Sequence, residues 1–214
     1  EVLGADRRHR DAFQAEGIKQ FFPNASPADL DAFRNDRAAM RQGGSVRRGP
    51  LAECKANFAY LMPRLEAGFA DGRAFLFGGS PCAADFAVYH TLWPLRVVPA
   101  FADVLKPYPQ TIAWIDRMIG IGHGKVKDMT SAQALEIAKS CRPAETPKAL
   151  VYEADGIKLG ESVEVMPVDY ALDPVRGELL DCSAEEISVR RSDPRAGAVV
   201  VHFPRFGFQL RRAG

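Results

Sequence analysis

The chain of 214 residues has little of what builds metal sites and disulfide frameworks. It contains only four cysteines and four histidines, no C-x-x-C pair occurs, and no histidine lies at a ligand spacing from a cysteine. We therefore expect no metal site. Isolated cysteines in a chain of this length favour reduced thiols over disulfides, which is typical of a cytoplasmic protein; they are Cys54, Cys82, Cys141 and Cys182.

An excess of charge of one sign and long apolar runs are also absent. The 28 basic and 27 acidic residues leave a formal net charge of +1, whereas a dedicated nucleic-acid-binding domain carries a basic excess. No apolar run approaches the ~20 residues that a membrane-spanning helix needs. We expect neither a nucleic-acid nor a membrane partner, and no Ser/His/Asp or paired-carboxylate arrangement assigns a catalytic residue.

What the chain has is two halves of different character. Residues 1–142 carry helical patterns and residues 149–214 carry short alternating runs, with a proline-containing joint at 141–147. The charge is 19 basic and 16 acidic residues before position 147, then 9 and 11 after it, too small a difference to imply a charged partner for either half. The pattern predicts a multi-domain α plus β chain: an all-α helical bundle over 1–142, then a small antiparallel β-barrel over 149–214.

Several helix signals lie in the first half. Ser26-Pro-Ala-Asp29 and Thr130-Ser-Ala-Gln133 have capping-box spacing and predict helices that run to about Gln42 and about Lys139. A further helix is expected from about Asp6 to Phe22. Apolar residues at steps of three and four predict one apolar face of a long helix, which Pro63 should kink; they are Leu51, Cys54, Phe58, Leu61, Leu65 and Phe69.

The most informative segment spans residues 75–93. Cys82 lies at an N-cap position, and Asp85 three residues later can accept the Cys82 backbone N–H as half of a capping box. The residues that follow are apolar on nearly every side, which predicts the core helix of a bundle and a buried, hydrogen-bonded His90. A structural role for Cys82 is favoured over that of a redox or conjugating thiol, although a helix N-terminus promotes thiolate.

The run Gly120-Ile-Gly-His-Gly-Lys125 invites comparison with a phosphate-binding loop. It lacks the required spacing and the Ser or Thr after the lysine, and it follows a helix rather than a strand. The glycines are better explained as the end of the preceding helix.

Residues 78–89, Gly-Gly-Ser-Pro-Cys-Ala-Ala-Asp-Phe-Ala-Val-Tyr, resemble the segment that opens the central helix of the glutathione S-transferase C-terminal domain. Residues 108–118 look like the next core helix of that family, and the resemblance covers roughly residues 5–125. The family typically has Ser or Thr where this chain has Cys82. A thiol is a weak acceptor, so the departure weakens one capping bond and leaves the Asp85 half intact.

The resemblance implies a glutathione-dependent function, and it implies that glutathione binding and activation belong to a different domain. In the family, glutathione is bound and activated by a thioredoxin-like N-terminal domain, and residues 1–70 show no such βαβ pattern. We therefore expect the chain to start near the first helix of the second domain, to bind no glutathione alone and to be inactive alone. The full-length parent would use glutathione as cofactor, act on a small electrophile and form a homodimer. His9, Phe13 and Gly17 form a four-residue-spaced stripe that could face the electrophile, although plain packing explains such a stripe as well.

The second half predicts about five strands, at 160–167, 175–180, 186–190, 198–203 and 206–210. Their number and order resemble SH3-like barrels, and some bacterial glutathione S-transferase-like proteins carry a similar tail with the patterns Asp169-Tyr170, Asp173-Pro174 and His202-Phe203-Pro204. The inner faces should bury Val163, Val165, Leu179, Ile187, Val189, Val199, Val201 and Phe208. Packing on the helical domain or at a dimer interface is favoured over ligand binding for this region.

Two functions follow from these patterns. The first is the C-terminal portion of a glutathione S-transferase-like protein whose parent conjugates or reduces electrophiles. The second is a non-enzymatic interaction or scaffold protein that uses the helical domain and the β region as partner-binding surfaces.

Overall fold

The computed structural model describes residues 17–47, 49–145 and 156–214. These fall into two compact units, one from residues 17–32 and 49–126 and the other from residues 33–47, 127–145 and 156–214. The division does not follow a single cut near residue 145, and the predicted domain bounds, 1–142 and 149–214, stay a prediction. In the described ranges, no helix is both long enough and apolar enough to cross a lipid bilayer.

The first unit is helical. Residues 17–21 are helical, and the named helices are α1 (Pro27–Ala39), which ends in the second unit, α2 (Leu51–Gly68), α3 (Ala83–Val97) and α4 (Pro109–Ile121), with a 3₁₀ helix at Pro99–Leu105 between the last two. The predicted Ser26 capping box is confirmed: Ser26 N–H donates to Asp29 Oδ2 over 2.9 Å and Asp29 N–H donates to Ser26 Oγ over 3.2 Å. Helix α1 ends three residues before the predicted Gln42.

The core of this unit forms around the indole of Trp114. That ring stacks on Phe69 with centroids 5.7 Å apart and meets Tyr89 edge-on at 6.5 Å, geometries that aromatic pairs prefer. The buried cluster consists of Met62, Phe69, Leu92, Leu105, Trp114, Ile115 and Met118. The predicted apolar face of α2 was wrong at Leu61 and Cys54, which are exposed, because Met62 takes the central buried position instead.

The second unit contains α5 (Ser131–Ser140) and a sheet of five strands: β1 (Ser162–Pro167), β2 (Val175–Cys182), β3 (Glu186–Asp193), β4 (Gly197–Pro204) and β5 (Phe208–Arg212). The predicted capping box of α5 is confirmed, since Thr130 N–H donates to Gln133 Oε1 over 2.9 Å and Gln133 N–H donates to Thr130 Oγ1 over 3.2 Å.

The strands are antiparallel and lie in the order β4-β3-β2-β1-β5. In the described strands the outer two, β4 and β5, are not paired with each other, so the sheet is open and the predicted small barrel is not confirmed. Five of the predicted inner residues are fully buried (Val163, Val165, Leu179, Ile187 and Val189). Val201 and Phe208 pack against that core while partly exposed, and Ile157, Cys182 and Leu210 join it without having been predicted.

Candidate functional site

The N-terminus of α3 is organised by one buried carboxylate. Asp85 is fully buried, and its Oδ2 accepts the Cys82 backbone N–H over 2.9 Å. Its Oδ1 accepts the backbone N–H of Leu76 and the indole Nε1–H of Trp114, each over 2.9 Å. A single side chain thus joins the loop before α3, the first turn of α3 and the middle of α4.

These donors keep Asp85 charged. Burial by itself raises the pKa of the carboxyl, but the N–H donors of Leu76, Cys82 and Trp114 outweigh it and hold the pKa below its ordinary value. The positive end of the α3 dipole favours the same charge. At neutral pH the group is a carboxylate with no proton to give, so its chemistry is that of an anchor and not of a general acid.

Cys82 precedes this carboxylate at the N-cap of α3. It is extended, with φ −131° and ψ 177°, and it is half-buried. Its carbonyl oxygen accepts the Asp85 backbone N–H over 3.0 Å, so a helix donor is satisfied by the Cys82 backbone.

Helix α3 is not buried on every side, which corrects the sequence-based prediction. Phe86 is 50% exposed, and Ala87 and His90 beside it are exposed as well. The predicted burial of His90 is therefore wrong, although its ring is hydrogen-bonded, with Nδ1 2.9 Å from the Ala87 carbonyl oxygen. No other described residue covers this side of α3. Because α3 has apolar residues on nearly every side, its sequence did not show which side is buried. We refer to Phe86, Ala87 and His90 as the α3 stripe.

The predicted electrophile-facing stripe falls largely outside the described residues. His9 and Phe13 lie there, and only Gly17 can be placed. A Cβ on Gly17 would lie 3.6 Å from the Phe101 ring, and Phe101 is buried. Gly17 therefore packs against an aromatic side chain of its own unit, and a role in binding substrate stays a prediction.

The N-terminus of α4 is closed by a residue that sequence reasoning missed. Glu66 accepts the backbone N–H of Gln110 and of Thr111, each over 2.8 Å, and the Thr111 hydroxyl over 2.7 Å. The N-cap position holds Tyr108, which makes no capping bond with its side chain. A helix start without a capping side chain was the signal that a carboxylate from another helix serves it.

The remaining sequence candidates do not assemble into a site. Gly122, with φ 65°, follows the last residue of α4, and Gly124 has φ 69°; His123 between them is exposed. None of the four cysteines forms a disulfide with another described residue. Within the ranges that the structure describes, no three His, Cys, Asp or Glu side chains are grouped to hold a metal ion.

In the second unit a buried carboxylate lies between two cations. Glu164 on β1 is almost fully buried, and it accepts Arg176 Nε at 2.6 Å and Arg211 Nε at 2.7 Å. These arginines lie opposite it on β2 and β5. The hydrogen bond from Arg211 is the main cause that lowers the pKa of Glu164; burial opposes it and Arg176 adds to it.

Comparison with known families was decisive for the helical unit. Residues 50–117, which span α2, α3 and most of α4, match the family model described as "Glutathione S-transferase, C-terminal domain". This segment is therefore similar to the C-terminal domain of glutathione S-transferases. The match includes Asp85 and the helix whose N-terminus it closes.

A solved structure extends the likeness beyond that domain. It is the crystal structure of a GST-like protein from Pseudomonas syringae, 43% identical over 74% of this chain, with a TM-score of 0.66. The chain covers 57% of the length of that protein. No curated protein matches. In this chain the segment that matches the glutathione S-transferase C-terminal domain has Asp85, Glu66 and Trp114 as its anchoring residues, and the α3 stripe is exposed beside them.

Proposed function

We propose that this chain is the substrate-facing and assembly portion of a glutathione-dependent transferase or reductase of small electrophiles. The family match over residues 50–117 supports the class. The observation that carries the proposal is the α3 stripe, where Phe86 is 50% exposed one residue after the fully buried Asp85. A helix that is rigidly anchored on one side and apolar on the other suits a domain that works against a second surface.

In this proposal the nucleophile is the thiolate of glutathione. In conjugation its sulfur forms a bond to the electrophilic carbon while the leaving group departs with the electron pair of the bond that breaks. The described residues contribute surface and orientation. Glutathione is the proposed cofactor of the parent protein, and we propose that this chain alone does not bind it. The described cysteines form no disulfide, which supports a reducing compartment such as the cytoplasm.

The proposed partner on the α3 stripe is a second copy of the chain. The stripe combines an aromatic ring, a methyl group and a histidine, and the adjacent carboxylate of Asp85 is fully buried. Aromatic residues are enriched where protein surfaces associate. Sedimentation of the chain should show a dimer that Phe86→Glu dissociates. Phe77→Glu is the matched control, because Phe77 is 77% exposed and lies outside α3. A monomer at all concentrations, or equal effects of both variants, would contradict the dimer.

The enzymatic proposal is tested by expressing the complete reading frame and this chain side by side. We expect the complete protein to be retained on immobilised glutathione and to conjugate glutathione to a chlorodinitrobenzene, and this chain to do neither. Retention of this chain alone would contradict the assignment of glutathione binding to other residues. A complete protein that neither binds nor uses glutathione would instead favour the non-enzymatic interaction protein.

A further inference from the structure

A small cavity in the second unit lies at the end of α1, outside the glutathione S-transferase C-terminal domain. Its volume is about 240 Å³, and it is lined by Arg37, Met40, Arg41, Val46 and Tyr170. Tyr170 belongs to the Asp169-Tyr170 pattern, which the proposed function leaves unexplained. An inference drawn from this cavity is independent of the proposed function.

The walls of the cavity are held by backbone contacts. Val46 N–H donates to the Asp169 carbonyl oxygen over 3.1 Å, and Ala171 N–H donates to the Met40 carbonyl oxygen over 2.6 Å. Gly44 allows this approach, because a Cβ there would lie 1.7 Å from the Asp169 oxygen. Hydrogen bonds between main-chain groups therefore hold together the two segments that carry the lining residues.

One wall carries backbone strain. Ala171 has φ 52°, and among the described residues it is the only one other than glycine with a positive φ. An alanine in this region is uncommon and costs free energy. The strained residue directly follows Tyr170, which lines the cavity.

The lining combines positive charge with uncovered apolar surface. Residues 33–47 contain four arginines and one aspartate. That aspartate, Asp36, lies 3.5 Å from Arg37 Nε and is itself largely exposed, so it neutralises the guanidinium only weakly. Opposite the arginines, Val46 and Tyr170 are 44% and 45% exposed. The two kinds of surface meet inside one cavity.

The guanidinium of Arg37 is positioned from two sides. It lies over the Phe33 ring at 5.0 Å, and its Nη1 donates to Met40 Sδ over 3.0 Å. Both of these partners are neutral, so they position the guanidinium without reducing its charge, and Asp36 is its exposed acidic partner.

A simpler explanation for the arginines is stabilisation of the α1 C-terminus. Arg41 Nη1 does donate to the Arg37 carbonyl oxygen, and cations favour a helix C-terminus. A guanidinium has five N–H donors, however, and this contact uses one of them. Helix capping also does not explain why Tyr170 and Val46 line the same cavity as the arginines, nor why the backbone is strained at Ala171, next to Tyr170.

We propose that this cavity binds a small aromatic carboxylate. The carboxylate meets the guanidinium groups of Arg37 and Arg41, whose planar forks match its two oxygens, and the ring lies between Met40, Val46 and Tyr170. The cavity volume of about 240 Å³ suits a ligand with a single ring and a short acid group.

Calorimetric titration of the full chain with benzoate, benzyl alcohol and sulfate tests the proposal. Benzoate should bind saturably, whereas the uncharged alcohol and the ringless anion should each bind at least about tenfold more weakly, since each lacks one of the two recognised features. Equal affinity for benzoate and benzyl alcohol would overturn the role of the arginines. Equal affinity for benzoate and sulfate would overturn the role of the ring.

Variants locate the site. Arg37→Gln and Tyr170→Leu should each weaken benzoate binding about tenfold, and Arg37→Lys should weaken it less, because the charge remains while the fork is lost. Arg190→Gln is the matched control, since Arg190 pairs with Glu178 at 3.3 Å on the sheet and should leave benzoate affinity unchanged. Thermal unfolding of each variant shows that it is folded. Unchanged affinity in folded Arg37→Gln, or a loss in Arg190→Gln as large as in Arg37→Gln, would overturn the assignment.

Discussion

Each of the two units contains a buried carboxylate with several hydrogen-bond donors, Asp85 in the helical unit and Glu164 in the sheet unit, and the two are stabilised by different means. In the helical unit Asp85 is surrounded by neutral N–H donors, including the Trp114 indole at 2.9 Å. In the sheet unit Glu164 lies between two guanidinium groups at 2.6 and 2.7 Å, and both arginines are more than half exposed. The first arrangement depends on dipoles inside the core, the second on charges that water and salt can reach.

The difference decides how each unit should respond to perturbation. Donors buried around Asp85 cannot turn to water when the carboxylate is removed, so they are left unsatisfied. The arginines around Glu164 can hydrate, so the loss of their partner is largely compensated. We therefore expect the Asp85 centre to be sensitive to mutation and insensitive to salt, and the Glu164 centre to behave in the opposite way.

The largest effect should follow Asp85→Ala. It removes the acceptor of three N–H groups and strands the Trp114 indole, which we expect to cost about 3–5 kcal/mol of the free energy of unfolding. Urea unfolding followed by tryptophan fluorescence measures it. Asp116→Ala is the matched control, because Asp116 pairs with Arg96 at 2.9 Å on the exposed surface, and it should cost less than about 1 kcal/mol. Equal losses of unfolding free energy in the two variants would show that the buried hydrogen bonds of Asp85 contribute no more stability than an exposed ion pair.

Acid should destabilise both centres. The pKa values of Asp85 and Glu164 lie below their ordinary values of 3.8 and 4.5. A carboxyl whose folded pKa is lowered contributes stability above its unfolded pKa and loses it as the pH falls through the folded pKa. The urea midpoint should therefore be flat near neutral pH and fall below about pH 4. The fall should be smaller in Asp85→Asn; an identical fall would contradict the linkage to Asp85.

A smaller loss is expected for Glu164→Gln. The arginines remain hydrated, so the cost should be about 1 kcal/mol. Salt distinguishes the two centres further. Sodium chloride at about 1 M should reduce the difference in free energy of unfolding between wild type and Glu164→Gln, and it should leave the difference between wild type and Asp85→Ala unchanged. Glu178→Gln, on the exposed pair with Arg190, serves as control. A salt-independent gap for Glu164→Gln would remove the distinction between the two centres.

The smallest effect concerns Cys82→Ser. A hydroxyl is a better N-cap acceptor than a thiol, so the substitution should stabilise the chain by about 0.5 kcal/mol or less. The gain is small because the Cys82 carbonyl oxygen already accepts the Asp85 N–H at 3.0 Å. Thermal unfolding against Cys54→Ser, at an exposed helix-interior position, measures it. A loss of stability would indicate that the thiol makes contacts that a hydroxyl cannot replace.

Interactions over short sequence separations were predictable. The capping boxes at Ser26 and Thr130 each join residues three apart, so their geometry follows from helix periodicity alone. The alternation of Val163 and Val165 likewise placed both in the sheet core. Whether the sheet closes into a barrel could not be predicted in this way, because closure depends on whether the two outer strands pair. In the described strands they do not pair, and the sheet is open.

Residue pattern by itself thus determined the helices and strands, the start of α3 at Cys82 and Asp85, and the resemblance that the family match supports. Only the tertiary structure decided which residues distant in sequence donate hydrogen bonds to the carboxylates of Asp85, Glu66 and Glu164. Trp114 lies 29 residues from Asp85, Thr111 lies 45 from Glu66, and Arg211 lies 47 from Glu164. It also decided which side of α3 stays exposed at Phe86. Periodicity identifies the apolar surface of a helix or strand. Whether that surface is buried or hydrogen-bonded depends on the residues that contact it, and these come together only in the folded chain.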